Sequence, residues 1–312
     1  MTAVRAVAIL QPGGPEVLRV VEREVREPGE GEVRVAVAAA AVHPSDIAFR
    51  ERGMGDLPPP WVSGWDAGGT VESVGAGVEG FAGGDRVMAV ALPRRPEGGA
   101  QSELLVVPAA SVVPAPEGAS LEQASTLPMN GLTAFVGLEQ LALEEGDTLA
   151  VTGGAGLLAS YVIPIAKERG IRVLADAKPE DERLVRGFGA DVVVPRGDDL
   201  VDAIRAEVPE GVDAVYDTAL LQRAMFPAIR PGGALAVVRG WDGEDIEHGV
   251  HIHRVWVGDV LERTDWLHEL RELAGRGVIQ LRVASTLPPE RAAEAHRLMG
   301  AGGLRGRAVI VF

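Results

Sequence analysis

Cysteine is absent from the 312 residues. That excludes disulfides and thiolate nucleophiles, together with any zinc site built on cysteine sulfur. Lysine is almost absent: Lys167 and Lys178 are the only two among 30 basic residues, and formal net charge is -15. No basic face suited to a nucleic-acid backbone is evident. No apolar run approaches the roughly 20 residues of a membrane helix. Met1–Leu10 lacks the basic start and long apolar core of a signal peptide, so a cytoplasmic location is the default expectation. Tyrosine is scarce as well, with only Tyr161 and Tyr216 available as phenol donors.

The first third of the chain is a series of short Val-rich runs broken by Gly and Pro: Val4–Leu10, Glu32–Ala38, Gly69–Val74, Asp85–Ala91 and Ser102–Val107. Strands punctuated by turn residues predict a β domain. After about residue 120, strands alternate with helix-length segments. Thr148–Thr152, Arg172–Ala175, Asp191–Val194, Ala214–Asp217 and Ala234–Val238 are the expected strands, with a sixth at His253–Val257. Helices are expected near 157–169, 179–188, 201–208 and 221–229. Repeated βα units of this length predict a parallel, doubly wound sheet, the Rossmann architecture. The C-terminal pieces should be helix 265–275, strand 280–283, helix 290–299 and strand 307–311. They are expected to return to the first domain, giving domains of 1–120 with 265–312, and 121–264.

The strongest local signal is Gly153-Gly154-Ala155-Gly156-Leu157-Leu158-Ala159, which contains G-x-G-x-x-A between a strand and a helix. Glycines at this spacing permit a tight turn and let the backbone approach a pyrophosphate, while the helix N-terminus supplies N–H groups and partial positive charge. Asp176 ends the next strand, where a carboxylate suits the ribose hydroxyls of NADH. Lys178, two residues on, suits the 2′-phosphate of NADPH, so the loop leaves both cofactors open.

Five blocks complete the picture: Ala41-Val42-His43-Pro44-Ser45-Asp46; Gly64-Trp65-Asp66-Ala67-Gly68-Gly69-Thr70-Val71 with Gly84-Asp85-Arg86-Val87; Leu127-Pro128-Met129-Asn130-Gly131-Leu132-Thr133-Ala134; the glycine loop with Ala166-Lys167; and Gly303-Leu304-Arg305-Gly306-Arg307. In this order the chain resembles the zinc-independent quinone oxidoreductase and enoyl reductase branch of the medium-chain dehydrogenase/reductase superfamily. The resemblance implies a GroES-like β domain beside the Rossmann domain, the cofactor in the cleft between them, a preference for NADPH, and a homodimer formed near Val255–Val257. It places Asn130, Thr133 and Gly240 with the glycine loop in the cofactor set, Thr133 at the nicotinamide carboxamide.

Without zinc there is no Lewis acid to hold an alkoxide, so hydride transfer to a quinone or an activated C=C bond is the expected chemistry. Negative charge then gathers on the substrate oxygen and needs a donor. His43 is the candidate, standing where the related family usually has Asn; the alternative is a structural His bonded to backbone. Asp46 joins it, more as a backbone anchor than as an acid. Asp66 replaces the glutamate of zinc relatives and is expected to pair with an arginine. His248, His251 and His253 lack the spacing of a zinc pair. Gln101 replaces a typical aromatic, Pro164 should kink the first Rossmann helix, and Leu157-Leu158 should crowd the pyrophosphate. Two other functions stay open on this scaffold: a redox-silent isomerase or cyclase, and a cofactor-binding protein without catalysis.

Overall fold

A computed structural model describes residues 1–312. In chain order the elements are β1 (Thr2–Ile9), β2 (Leu18–Val25), β3 (Glu32–Ala41), α1 (Pro44–Arg52), β4 (Trp61–Val62), β5 (Asp66–Val74), β6 (Arg86–Val90), β7 (Leu104–Pro108), β8 (Val112–Pro114), α2 (Leu121–Ala124) and α3 (Pro128–Leu141). There follow β9 (Thr148–Thr152), α4 (Ala159–Glu168), β10 (Arg172–Ala177), α5 (Glu182–Gly187), β11 (Val192–Pro195), α6 (Leu200–Glu207), β12 (Val212–Asp217), β13 (Ile229–Val237), β14 (Ile246–Glu247) and β15 (Val250–Arg254). The chain closes with α7 (Thr264–Gly275), β16 (Val283–Leu287), α8 (Ala292–Ala301) and β17 (Arg307–Val311). No helix is long and apolar enough to cross a membrane.

Two compact units form. The first comprises Met1–Met129, Gly258–Gly275 and Leu281–Phe312; the second comprises Asn130–Val257 and Arg276–Gln280. The break falls at Met129, not near residue 120, because the Met129 N–H donates to Asp66 Oδ1 at 2.8 Å and ties the start of α3 to the first unit.

The first unit holds a three-stranded sheet, β2-β1-β4, and a seven-stranded one in the order β16-β17-β3-β5-β6-β8, with β7 paired to β3. Alternating Val and Ala on β3 bury both faces, so Val33, Val35, Val37 and Ala40 meet Val71, Val87 and Leu105 in one core. The C-terminal strand β17 pairs with β3, Val309 opposite Ala41. Strand β2 escapes the pattern of short Val-rich runs because Arg19, Glu22, Arg23 and Glu24 interrupt it on a half-exposed hairpin.

The second unit is a seven-stranded sheet in the order β11-β10-β9-β12-β13-β15-β14, parallel except for the terminal β14. Its strands are buried on both faces and read as near-continuous apolar runs. The reversal of strand order at β9 places the end of that strand at the switch point where open α/β sheets bind ligands. Four expectations shift. The sixth strand, expected at His253–Val257, is β15 at Val250–Arg254. The segment 221–229 is a 3₁₀ turn, Gln222–Ala228, containing Pro227, after which the chain extends into β13. The strand expected at 280–283 begins at Val283 instead. Helix α4 continues through Pro164 as a single element.

Candidate functional site

In the first unit, α1 begins directly after His43, and the turn is locked by Asp46. Asp46 Oδ2 accepts from the His43 N–H at 2.7 Å; Oδ1 accepts from Ser63 Oγ at 2.5 Å and the Gly64 N–H at 2.9 Å. A carboxylate that holds the helix start and the Ser63–Gly64 segment in this way is an anchor. Burial pushes its acid strength down, against the pull of these donors.

The anchor sets His43 against Asp66: Nε2 lies 3.0 Å from Asp66 Oδ2, and both side chains are fully buried. Burial lowers the His43 pKa to about 3, helped by the positive charge of Arg307. Burial also raises Asp66 well above the usual carboxylate range, against a backbone bond from Met129 and the pull of Arg307. Each group alone resists charge, and Asp66 Oδ2, though 3.0 Å from His43 Nε2, makes no hydrogen bond. His43 stands 3.0 Å from Asp66, and Arg307 acts on the acid through its field. Arg307 stands in the C-terminal block Gly303–Arg307, but nothing in its spacing points to residues 43 and 66.

Polar atoms without a protein partner concentrate on the same segments. Ser45 Oγ, both amide atoms of Gln101 and Ser102 Oγ are buried without hydrogen bonds. Tyr161 and Tyr216 are fully buried. Tyr216 donates to the Thr133 carbonyl at 2.6 Å, packed where Gly137 has no side chain, so neither phenol serves as a solvent-side donor.

In the second unit, the glycine loop leaves β9 and enters α4. Gly153 has φ +69°, in the left-handed region that favours glycine. A Cβ on Gly154 would stand 2.6 Å from the Asp176 carbonyl oxygen. Leu158 precedes α4 without a side-chain cap; the Ser160 and Tyr161 N–H groups already donate to the Gly156 and Leu158 carbonyls, so an anion would meet the amides before them. Leu157 is buried and Leu158 half-buried. A dinucleotide fits this cradle of glycines and uncapped helix end.

Asp176 is not presented to a ribose. Its Oδ1 accepts from the N–H groups of Gly153 and Gly154, the latter at 3.3 Å, and its side chain is buried. Burial raises its pKa, opposed first by Arg196, whose Nε lies 3.7 Å from Oδ2. Arg196, half-exposed just past β11, was not marked by the sequence pattern; its only signal is its place at the end of a parallel strand. Lys178 is exposed at the same sheet edge. Gly240 (φ +74°) lies in the turn after β13, where Gln222 donates to the Arg239 carbonyl at 3.3 Å. Asn130 and Thr133 sit buried in α3. His251 and His253 lie on β15, and His248 packs on Phe226 with ring centroids 5.8 Å apart. Trp241 is held by Phe226 and the Arg223 guanidinium, 4.2 Å from its ring.

Residues 29–117 match the family described as alcohol dehydrogenase GroES-like domain, and residues 188–310 that described as zinc-binding dehydrogenase. A trans-enoyl reductase of Aspergillus terreus is 31% identical over 229 residues, covering 66% of this chain and 75% of its own. A solved NAD-dependent alcohol dehydrogenase superposes with a TM-score of 0.85 at 30% identity, over 99% of both chains. A mycobacterial protein solved with NADPH gives 0.84 at 26%, over 99% of this chain and 100% of the other. Fold and family together define an oxidoreductase. The chain belongs to the medium-chain dehydrogenase/reductase superfamily, on the branch of the quinone and enoyl reductases.

The description of that second family names zinc, and no group of three or more His, Cys, Asp or Glu side chains is placed to hold a metal ion. With Asp46 committed to its three donors, His43 and Asp66 remain, short of the three protein ligands a catalytic zinc needs.

Proposed function

We propose that this protein is an NADPH-dependent reductase of quinones or activated C=C bonds that works without zinc, its proton held by the His43–Asp66 pair. The observation that carries this reading is the 3.0 Å contact between His43 Nε2 and Asp66 Oδ2 in full burial. When bound, a reduced nicotinamide supplies a hydride, that is, a proton and two electrons.

The loop Gly153–Leu158 holds the pyrophosphate, with Ala155 and Gly156 at its crest, and Asn130 and Thr133 orient the ring. Lys178 and Arg196 meet the 2′-phosphate, since Asp176 is buried and turned to the loop. This favours NADPH over NADH.

As the hydride reaches the β-carbon of an enone, the π pair moves onto the carbonyl oxygen, and the proton of the His43–Asp66 pair passes to the resulting enolate. The pair is left as a carboxylate beside a neutral imidazole, and Arg307 offsets that charge. Water then restores the proton. A quinone takes the same hydride and proton at its oxygens.

The test is oxidation of NADPH by the purified chain with 2-cyclohexen-1-one and 1,4-benzoquinone, with zinc chelated. Turnover that survives chelation is expected. No oxidation with either acceptor, or activity only with added zinc, contradicts the proposal.

A further inference from the structure

We propose that Gln101 is the substrate-oxygen donor of this site, its side-chain Nε2 hydrogen-bonding the carbonyl or quinone oxygen on which negative charge gathers. The inference rests on the reductase reading above and adds a residue to it.

Gln101 is fully buried, yet neither its amide nitrogen nor its amide oxygen has a hydrogen-bond partner in the protein. An unpartnered buried amide is costly, and native proteins keep few of them. A glutamine pays that cost for nothing if methionine or leucine would fill the same space, so its retention calls for a ligand.

The amide's position identifies the ligand. The Gln101 N–H donates to the Ser63 carbonyl at 2.9 Å and the Ala100 N–H to the Gly64 carbonyl at 2.8 Å, so residues 100–101 are zipped onto the segment that leads into Asp66. The side chain lies over Gly64: a Cβ there would stand 2.9 Å from Gln101 Cγ and 2.8 Å from the Gln101 nitrogen. Gly64, at φ +99°, therefore both makes the turn and leaves room for the glutamine. The same Gly64 N–H and Ser63 Oγ bind Asp46, which fixes His43. Gln101 thus shares one frame with the His43–Asp66 pair, its backbone bonded to Ser63, three residues before Asp66. Ser45 Oγ and Ser102 Oγ, near the same segments in sequence, are likewise buried without partners.

The chemistry suits a carbonyl oxygen better than an anion. A carboxamide N–H is neutral, donates at every pH, and strengthens its bond as charge develops on the acceptor.

The experiment uses the full chain with Gln101→Met, which conserves volume, and Gln101→Leu as a second variant. Three quantities are measured: the thermal midpoint, NADPH-dependent reduction of 2-cyclohexen-1-one, and calorimetric binding of the unreactive ketone cyclohexanone in the presence of NADP⁺. Removing an orphaned amide should raise the midpoint by a few degrees, roughly, while cyclohexanone affinity and kcat/KM each fall about tenfold. NADP⁺ affinity should not change, and the loss should be the same from pH 6 to pH 9, as it would not be for a titrating group. A lowered midpoint in both variants would show that the amide has a structural partner and overturn the proposal. So would unchanged cyclohexanone affinity in the variants, or no cyclohexanone binding by the parent chain. A parent chain that binds the ketone but turns over no acceptor refutes the reductase reading while leaving Gln101 tested by binding.

Discussion

On the reading proposed above, the two compact units contribute by opposite means. In the second unit the backbone would do the binding: glycines at the end of a buried parallel strand bring amides and a helix terminus together within seven consecutive residues. In the first unit buried side chains would do it, drawn from positions 43, 46, 66, 101 and 307. A backbone site tolerates little change in shape, whereas a buried side-chain site tolerates little change in charge. Substitutions that alter one property at a time separate the two.

The largest effect is expected at Gly154. Its Cβ would meet the Asp176 carbonyl, a backbone atom that cannot swing away. Gly154→Val should weaken NADPH binding by more than about a hundredfold in calorimetry. Gly187→Ala, at a helical glycine with no neighbour within 4 Å, should leave affinity unchanged. Equal losses in both would mean that the cradle has no special shape.

Next comes Asp46→Ala. It strands the His43 and Gly64 N–H groups and the Ser63 hydroxyl in a fully buried setting. Stability in denaturant titration should fall by about 3 to 5 kcal/mol, with cofactor affinity per folded molecule unchanged. A mild loss of stability with a selective loss of turnover would instead make Asp46 part of the chemistry.

A smaller effect is expected from Lys178→Ala with Arg196→Ala. NADPH affinity should fall about tenfold and NADH affinity should stay the same. Parallel losses for both cofactors would place these side chains away from the 2′-phosphate.

The effect per pH unit is smallest for pH dependence. His296, buried beside Arg50 at 3.4 Å, has its pKa lowered from 6.5 to about 3, chiefly by burial. A depressed imidazole contributes stability that is fully present above pH 6.5 and lost as pH falls toward 3. The expected slope is up to about 1.4 kcal/mol per pH unit. Denaturant titrations of His296→Gln should be flatter by one proton across that window; an unchanged slope would mean His296 is protonated in the folded chain.

The contrast between the units also explains what could be read from the sequence. Strands β9 and β17 fall at the residues expected from their apolar runs, and the glycine loop stands between strand and helix as its spacing requires, because these features are local. Candidate residues His43 and Asp66 were visible, but their pairing was not: nothing along the chain brings position 43 to position 66 except α1, the Asp46 anchor and the β3–β5 register. Arg196 and Gln101 carry no motif, and their roles arise from what the fold leaves beside them. Asp176 shows the limit from the other side, since a residue type in the expected position turned inward to bind the loop's own amides.

The account's central claim is that one proton shared by His43 and Asp66 completes the reduction. Asp66→Asn keeps the shape but removes the transferable proton. We expect NADPH to bind it with unchanged affinity while reduction of 2-cyclohexen-1-one slows by roughly two to three orders of magnitude. Reduction at the rate of the parent chain would contradict the claim.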